Sequence, residues 1–537
     1  MNAECLPISV VPGLSRLFLD YCARRDSVRP SWFAATPGDR AWQQNKKALT
    51  PEHRNQLADL LALQNSDPRL AANLALLRNG ASVVVTGQQV GILGGPLYVP
   101  NKAATAIALA KQASESGNPH VPIFWLASED HDFAEVNHAT FPARRELRKL
   151  QYDHTPESAV PVGGVVLDDS ITPLIDQAWE LLGYSDAMEW LAAAYRPGQT
   201  LAGAFAEFYG KVFAHHGLLV LDPSGREAHR LGAPVLQAAI ERADELHQAL
   251  LERNRELEAA GYHAQVAVAQ HGSLLFLIDA KTGARNALKR TEASATEPGG
   301  SWQAGRDKYS THDLLDILAS EPERISPSAL LRPLFQDQML PTSAYIGGPA
   351  EIAYFAQSAV LYERILGAVT PVLPRLSATL LEPAIAELLD RHELSFDTVI
   401  ENTEAALAQR LAARAMPIAG KKALSSAGNA LDAELTTLTD YLATLDEGLG
   451  RSAQVSASKM RYQMNRLRRM AANFELQKEA SLGRHAEAIA QALHPHGGMQ
   501  EREIGGAFYL ARYGESLVDE LVKEAADGCP GHKLLRL

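Results

Sequence analysis

Five residues, Ser82-Val83-Val84-Val85-Thr86, constrain the fold more than any other stretch of the chain. The run shows no alternation of apolar and polar residues, so a strand made from it must be covered on both faces, as strands of a parallel sheet are. It runs into a loop, Thr86-Gly87-Gln88-Gln89-Val90-Gly91-Ile92-Leu93-Gly94-Gly95-Pro96, and then into an Ala-rich stretch from Lys102 to Lys111 with helical spacing. Val121–Leu126 is a second such strand, and Gly217–Leu221, ending in Asp222-Pro223-Ser224-Gly225, is a third. Ala344-Tyr345-Ile346 followed by Gly347-Gly348-Pro349 repeats the pattern of strand, glycine turn and helix start. Strands alternating with helices in this way predict an α/β fold with an open, doubly wound parallel sheet.

Around that core, residues 1–80 read as a helical entry segment, with Leu57, Leu60, Leu61 and Leu63 at helical spacing. Residues 81–380 form the sheet domain, with insertions at about 140–200 and about 261–330. In the second insertion Val266–Ala269 and Leu274–Asp279, joined around His271-Gly272, predict a hairpin, with Arg285–Arg290 as a third strand and Thr291–Gly305 as a mobile loop. Residues 381–495 carry Leu431, Leu435, Leu438, Leu442, Leu445 and Leu449, then Met460, Met464, Leu467, Ala471 and Phe474. These steps of four and three predict two coiled-coil arms interrupted at Gly448 and Gly450, with residues 496–537 returning to the core.

Composition narrows the function. Sixty-three acidic against 51 basic residues argue against capture of nucleic acid or an anionic membrane. Cys5, Cys22 and Cys529 are far apart and outside any C-x-x-C spacing, so neither a disulfide framework nor a structural zinc site is expected, and the compartment reads as reducing cytosol. No apolar run reaches the ~20 residues that a spanning helix needs.

The candidate functional residues sit at carboxyl ends of strands, where open α/β sheets bind ligands. Thr86, Gly87, Gln88, Gln89, Gly94 and Gly95, with Tyr98 just beyond, are expected to cradle a carboxylate or phosphate with backbone N–H groups. After the second strand comes Ser128-Glu129-Asp130-His131-Asp132, whose crowded acids suit a cation, an amine or a shared proton. A helix N-cap is the plainer role for the same residues. If the segment is helical, His131, Glu135 and His138 share a face that admits a metal, although no metal site is otherwise evident. Tyr345, Gly347 and Glu351 mark the third loop, and Arg375 with Ser377 offers an anion clamp.

Five segments together are more specific than any one of them: "TGQQVGILGGPLYVPNKAATAI", "PIFWLASEDHDFAEVNH", "LLRPLFQDQMLPTSAYIGGPAEIAYFAQ", "PRLSATLLE" and "GGMQEREIGGAFYLARYG". In order, and over nearly the full length, they resemble the bacillithiol biosynthesis cysteine-adding enzyme family. The resemblance implies a Rossmann-like core with connecting-peptide insertions, similar to class I aminoacyl-tRNA synthetases and nucleotidyl transferases, and a C-terminal coiled coil that makes a homodimer. It implies a cytoplasmic ligase that adds L-cysteine to the amine of glucosaminyl malate. It also implies a bound adenine nucleotide, ATP or ADP, for which Gln500, Arg502 and Tyr513 are the best match. Where those relatives of the core carry histidines and paired lysines, this chain has Gly94-Gly95-Pro96-Leu97-Tyr98 and Pro374-Arg375-Leu376-Ser377.

Amide formation needs an activated cysteine carboxyl and an amine stripped of its proton. Asp130, His131 and Asp132 are the expected holders of the amine and acceptors of its proton. Two other readings stand beside the ligase: a non-catalytic nucleotide-binding scaffold, and a metal-dependent hydrolase using His131, Glu135 and His138.

Overall fold

A computed structural model describes residues 2–144, 146–154, 156, 158–269, 272–290 and 301–537. The chain divides into two compact units, Met1–Ala143 with Leu147–Thr379 and Glu501–Leu535 in the first, and chiefly Leu380–Gln500 in the second.

The first unit is built on five parallel strands, β1 (Ser82–Gln88), β2 (His120–Leu126), β3 (Leu219–Leu221), β4 (Thr342–Gly347) and β5 (Val372–Pro374). Their order across the sheet is β5-β4-β1-β2-β3. The order reverses between β1 and β4, and crevices form at such a reversal. The β-branched run behaves as its composition requires, Val83, Val84 and Val85 being fully buried. The Ala-rich stretch is part of helix α1 (Tyr98–Glu115), which is buried along most of its length. It ends at Gly117, whose positive φ of 86° a residue with a Cβ adopts only under strain. Helices α2 (Arg226–Glu241) and α3 (Pro349–Ile365) follow β3 and β4, and α6 (Gly506–Ala526) packs on α1.

Several expectations need correction. The entry segment contains helices at Arg16–Cys22, Pro51–Gln64 and Ala71–Arg78, but it begins with a strand, Asn2–Leu6, which belongs to the same sheet as His532–Arg536. Leu57 and Leu61 are buried, whereas Leu63 is 85% exposed. The meeting of the two chain ends brings Cys5 against Cys529, and they form a disulfide, leaving Cys22 free. The support that unpaired cysteines lent to a reducing compartment is thereby removed.

The second insertion is an antiparallel sheet of Asp307–Tyr309, Trp302–Ala304, Arg285–Arg290, Gly272–Ile278 and Ile325–Pro327, in that order. Val266–Ala269 is not a strand of it. The Gln357 side chain receives a hydrogen bond from Val266 N and donates one to Val266 O, both at 2.9 Å, so an amide replaces a neighbouring strand there. His271 and residues 291–300 of the expected loop lie outside the described residues, while Trp302–Ala304 is a strand.

In the second unit α4 (Ile418–Leu445) and α5 (Glu447–Lys478) form an antiparallel hairpin, its arms crosslinked by an Arg461–Asp432 ion pair at 2.8 Å. The break falls at Asp446, whose side chain caps α5 by accepting from Leu449 N, and both Gly448 and Gly450 lie inside the helix. Leu435, Thr439, Gly450 and Ala457 close the seam between the arms. Leu438, Leu445, Met460 and Leu467 remain more than half exposed, at 51–57%. No helix among the described residues is long and apolar enough to cross a membrane.

A Cβ on Gly450 would stand 2.9 Å from the Ala443 backbone, where the arms meet, whereas one on Gly483 meets nothing closer than 3.9 Å. Gly450→Leu should therefore destabilise the hairpin by about 1–3 kcal/mol through overpacking. Gly483→Ala, inside helix Ala480–Leu493, should stabilise by about 0.5–1 kcal/mol. Thermal unfolding followed by circular dichroism checks both signs.

Candidate active site

The carboxyl ends of β1, β2 and β4 open into a cavity of about 740 Å³ whose lining lies entirely within the first unit. The antiparallel insertion supplies Phe276 and Arg285 to its wall. Of the residues expected from sequence, Gly87, Gln88, Gln89, Tyr98, Glu129, Asp130, His131, Tyr345, Glu351, Arg375 and Arg502 all line it.

At its floor Lys102, from α1, donates to Gly87 O at 2.7 Å and Gln88 Oε1 at 2.9 Å, and forms an ion pair with Glu351. Glu351 also accepts from Tyr345 Oη at 2.6 Å and from Gly348 N at 2.7 Å, so it caps α3 while neutralising the lysine. Burial alone would raise the Glu351 carboxyl, but the Lys102 charge and these hydrogen bonds hold it below the usual carboxylate range. Burial lowers the Lys102 ammonium, with Glu351 opposing. Beside them Arg332 donates to Tyr354 Oη at 2.9 Å, and burial pushes the Tyr98 phenol up to about 12.

The opposite wall is acidic. Glu129 is held by His229 Nε2 at 2.8 Å, a contact wholly beneath the surface. Asp130 and Glu135 both accept from Gln89 Nε2, at 2.5 Å and 3.0 Å. Asp130 also accepts from the His131 N–H at 2.7 Å. Arg285 lies over the Phe276 ring at 3.7 Å, donates to Ser326 Oγ and Pro327 O, and reaches His131 Nδ1 at 3.2 Å. A guanidinium has no acceptor, so His131 Nδ1 must accept and the proton sits on Nε2.

Other expected residues lie elsewhere. Thr86 Oγ1 donates to Ile346 O at 2.9 Å and ties β1 to β4, away from the cavity. Gly94 and Gly95 do not line it, because their backbone groups are already engaged: Gly94 N donates to Tyr195 Oη, Gly94 O accepts from Tyr209 Oη, and Gly95 O accepts from Gly506 N. Asp132 caps the one-turn helix Phe133–Val136, the plainer of its two roles. That helix is too short to align His131, Glu135 and His138, and these three are not brought within metal-binding distance of one another. Gln500 is engaged by Leu380 N, Leu380 O and Ala492 O, and of the three residues expected to hold a nucleotide only Arg502 lines these two cavities.

Gly347 and Ser377 line a second cavity of about 410 Å³, and Arg375 and Arg502 line both. Arg375 makes a bidentate pair with Glu501 at 2.8 Å and 2.6 Å. Ser377 meets Glu501 and His532, whose imidazolium burial pushes down to about 4. Arg502 is exposed, and its guanidinium makes no hydrogen bond or ion pair among the described residues.

Lys102, Arg285, Arg332 and His229 were not singled out from sequence. A lone lysine in an Ala-rich helix was the available signal for Lys102, since such a charge is buried only with a partner. Arg285, Arg332 and His229 stand on separate elements and carry no local pattern.

The Arg375–Glu501 pair yields a test. Burial would raise the Glu501 carboxyl, but Arg375 holds it below its ordinary value, so its contribution is present at neutral pH and lost as pH falls through the depressed value. Glu501→Gln should cost about 3–5 kcal/mol at pH 7 by leaving Arg375 buried without a counter-charge. The variant's stability should also decline less than the wild type's on acidification, as read from urea unfolding at a series of pH values.

Residues 1–376 match the model of the bacillithiol biosynthesis BshC N-terminal Rossmann-like domain, and residues 378–537 that of the BshC C-terminal coiled-coil domain. Over 548 residues the chain is 40% identical to a protein of Koribacter versatilis, covering 100% of both. It is 35% identical over 539 residues to one of Solibacter usitatus, again with 100% of both covered. With one of Salinibacter ruber it shares 32% identity over 535 residues, covering 97% of this chain and 96% of the relative. Each of the three is named "Putative cysteine ligase BshC". With the Rossmann-like sheet and the helical hairpin in agreement, the chain belongs to the bacillithiol biosynthesis BshC family.

Proposed function

We propose that the protein is a cytoplasmic ligase that joins L-cysteine to the amine of glucosaminyl malate through an activated cysteine carboxyl. One observation carries this reading: a single cavity sets the carboxylates Glu129, Asp130 and Glu135 against the cations Arg285, Arg332 and Arg502, Lys102 and Arg375 being paired with Glu351 and Glu501. An ammonium group is drawn to the first set and carboxylates to the second, and the two substrates between them carry both. The name shared by the relatives supports cysteine as one substrate, and the family supports bacillithiol biosynthesis as the setting.

In this mechanism the sugar amine docks against Asp130 and gives up a proton to it, the freed nitrogen attacks the carbonyl carbon of the activated cysteine carboxyl, and the amide forms as the C–O bond to the activating group breaks, that group leaving with the oxygen and the second N–H proton passing to solvent. Gln89 and the His131 N–H fix the orientation of Asp130. Arg285, at 3.2 Å from His131 Nδ1, holds the ring in place beside Asp130. Activation by an adenine nucleotide is part of the proposal, Arg502 being the expected nucleotide contact that reaches the cavity. The exposed apolar flank of the α4–α5 hairpin, Leu438 and Leu467 included, supports a homodimer through this hairpin.

Incubation with glucosaminyl malate, cysteine and ATP, followed by mass spectrometry, should detect the cysteinyl amide together with a nucleotide product. Asp130→Asn should lower kcat/KM by about 10²–10⁴-fold, the usual worth of a positioned base, while Asp132→Asn stays near wild type. Equal losses in both variants, or no amide from the wild type, would refute the assignment.

The assembly is checked separately. Leu438→Glu combined with Leu467→Glu should convert a dimer to a monomer in light scattering without unfolding the sheet unit, and a wild type that is monomeric at micromolar concentration would contradict the dimer.

A further inference from the structure

His215 and His216 end a buried stretch, Phe213-Ala214, and precede Gly217, which closes their short turn in the left-handed conformation at φ 73°. Asn73 donates to Gly217 O at 2.6 Å, and a Cβ at Gly217 would lie 2.4 Å from that same amide nitrogen. The backbone carrying the two imidazoles is therefore pinned. Their rings lie 4.0 Å apart between centroids. Both Nε2 atoms converge on one carboxylate oxygen of Asp519, from α6, at 3.2 Å and 3.0 Å.

An ordinary surface ion pair accounts poorly for this arrangement. The His216 Nε2 atom is cut off from solvent and, despite its closeness to Asp519, is out of line for a hydrogen bond. Neutral imidazole nitrogens and a carboxylate are the donors that zinc and its neighbours in the transition series take. Donors each ~2.0–2.2 Å from a tetrahedral ion stand about 3.3–3.6 Å apart, a few tenths of an ångström more than the 3.2 and 3.0 Å from Asp519 to the two imidazoles. Asp519 is 63% exposed, which leaves a coordination position open to water.

We propose that His215, His216 and Asp519 form a binding site for a divalent transition-metal ion of the zinc type. None of the three lines either cavity, so the site is separate from the proposed ligase chemistry, and its role is to clamp the His215–His216 turn to α6.

The test uses the full-length protein without a histidine tag and zinc chloride as the probe, in competition with a chromophoric chelator. The wild type should take up one equivalent, and zinc should raise its Tm. His216→Ala and Asp519→Ala should each weaken binding at least about tenfold and abolish the Tm shift. Asp519 is exposed enough that its loss leaves the fold intact, shown by an unchanged melt without zinc. Cys22→Ala should bind as the wild type does. Absence of binding by the wild type, undiminished binding by the Asp519 variant, or loss of binding in the Cys22 variant would overturn the proposal.

Discussion

The Lys102–Glu351 ion pair fastens the two halves of the parallel sheet to each other at the end where ligands enter. Lys102 holds the carboxyl end of β1 through Gly87 O and Gln88, while Glu351 holds the end of β4 through Tyr345 and the turn after it through Gly348 N. The pair thus spans the β1–β4 reversal, the point at which the strand order alone would leave a gap. A buried ion pair contributes little net stability, because desolvation consumes most of its attraction. Its value here is geometric: the backbone at the ends of β1 and β4 is held in place before any ligand arrives. Arg375–Glu501 does the same one strand further out, linking the end of β5 to the segment just before α6.

Such preorganisation decides what the crevice can do. With Lys102 and Glu351 occupied by each other, the groups left to meet a ligand are the carboxylates held by Gln89 and His229 on one side and Arg285, Arg332 and Arg502 on the other. The antiparallel insertion matters for the same reason, since it brings Arg285 and Phe276 over the sheet edge. Without it no guanidinium would stand beside His131, and the acid cluster would lack its facing cation.

Much of this was legible in the sequence, for identifiable reasons. β1, β2 and β3 announced themselves because strands covered on both faces must be continuously apolar, and their loops followed from position alone. The acid cluster was legible because crowded charge is unusual at a strand end. What sequence could not convey was convergence. β5 is three residues bounded by prolines 371 and 374, and Asn2–Leu6 finds its sheet only at the far end of the chain. Gly94 and Gly95 resembled a cradle until Tyr195 and Tyr209, more than 100 residues away, were found to fill it. In the hairpin, the leucine period marked two helices correctly but not their seam, because small residues such as Gly450 and Ala457 let the arms approach and left Leu438 outside.

The central claim is that one cavity receives an amine on its acidic wall and carboxylates on its basic wall. A crystal structure of the complex with glucosaminyl malate tests it most directly. The account predicts the amine nitrogen within hydrogen-bond reach of Asp130 or Glu129, ~2.6–3.2 Å, with the malate carboxylates on Arg285, Arg332 or Arg502. A ligand seated in the second cavity, or one with its carboxylates turned toward Asp130, would contradict it.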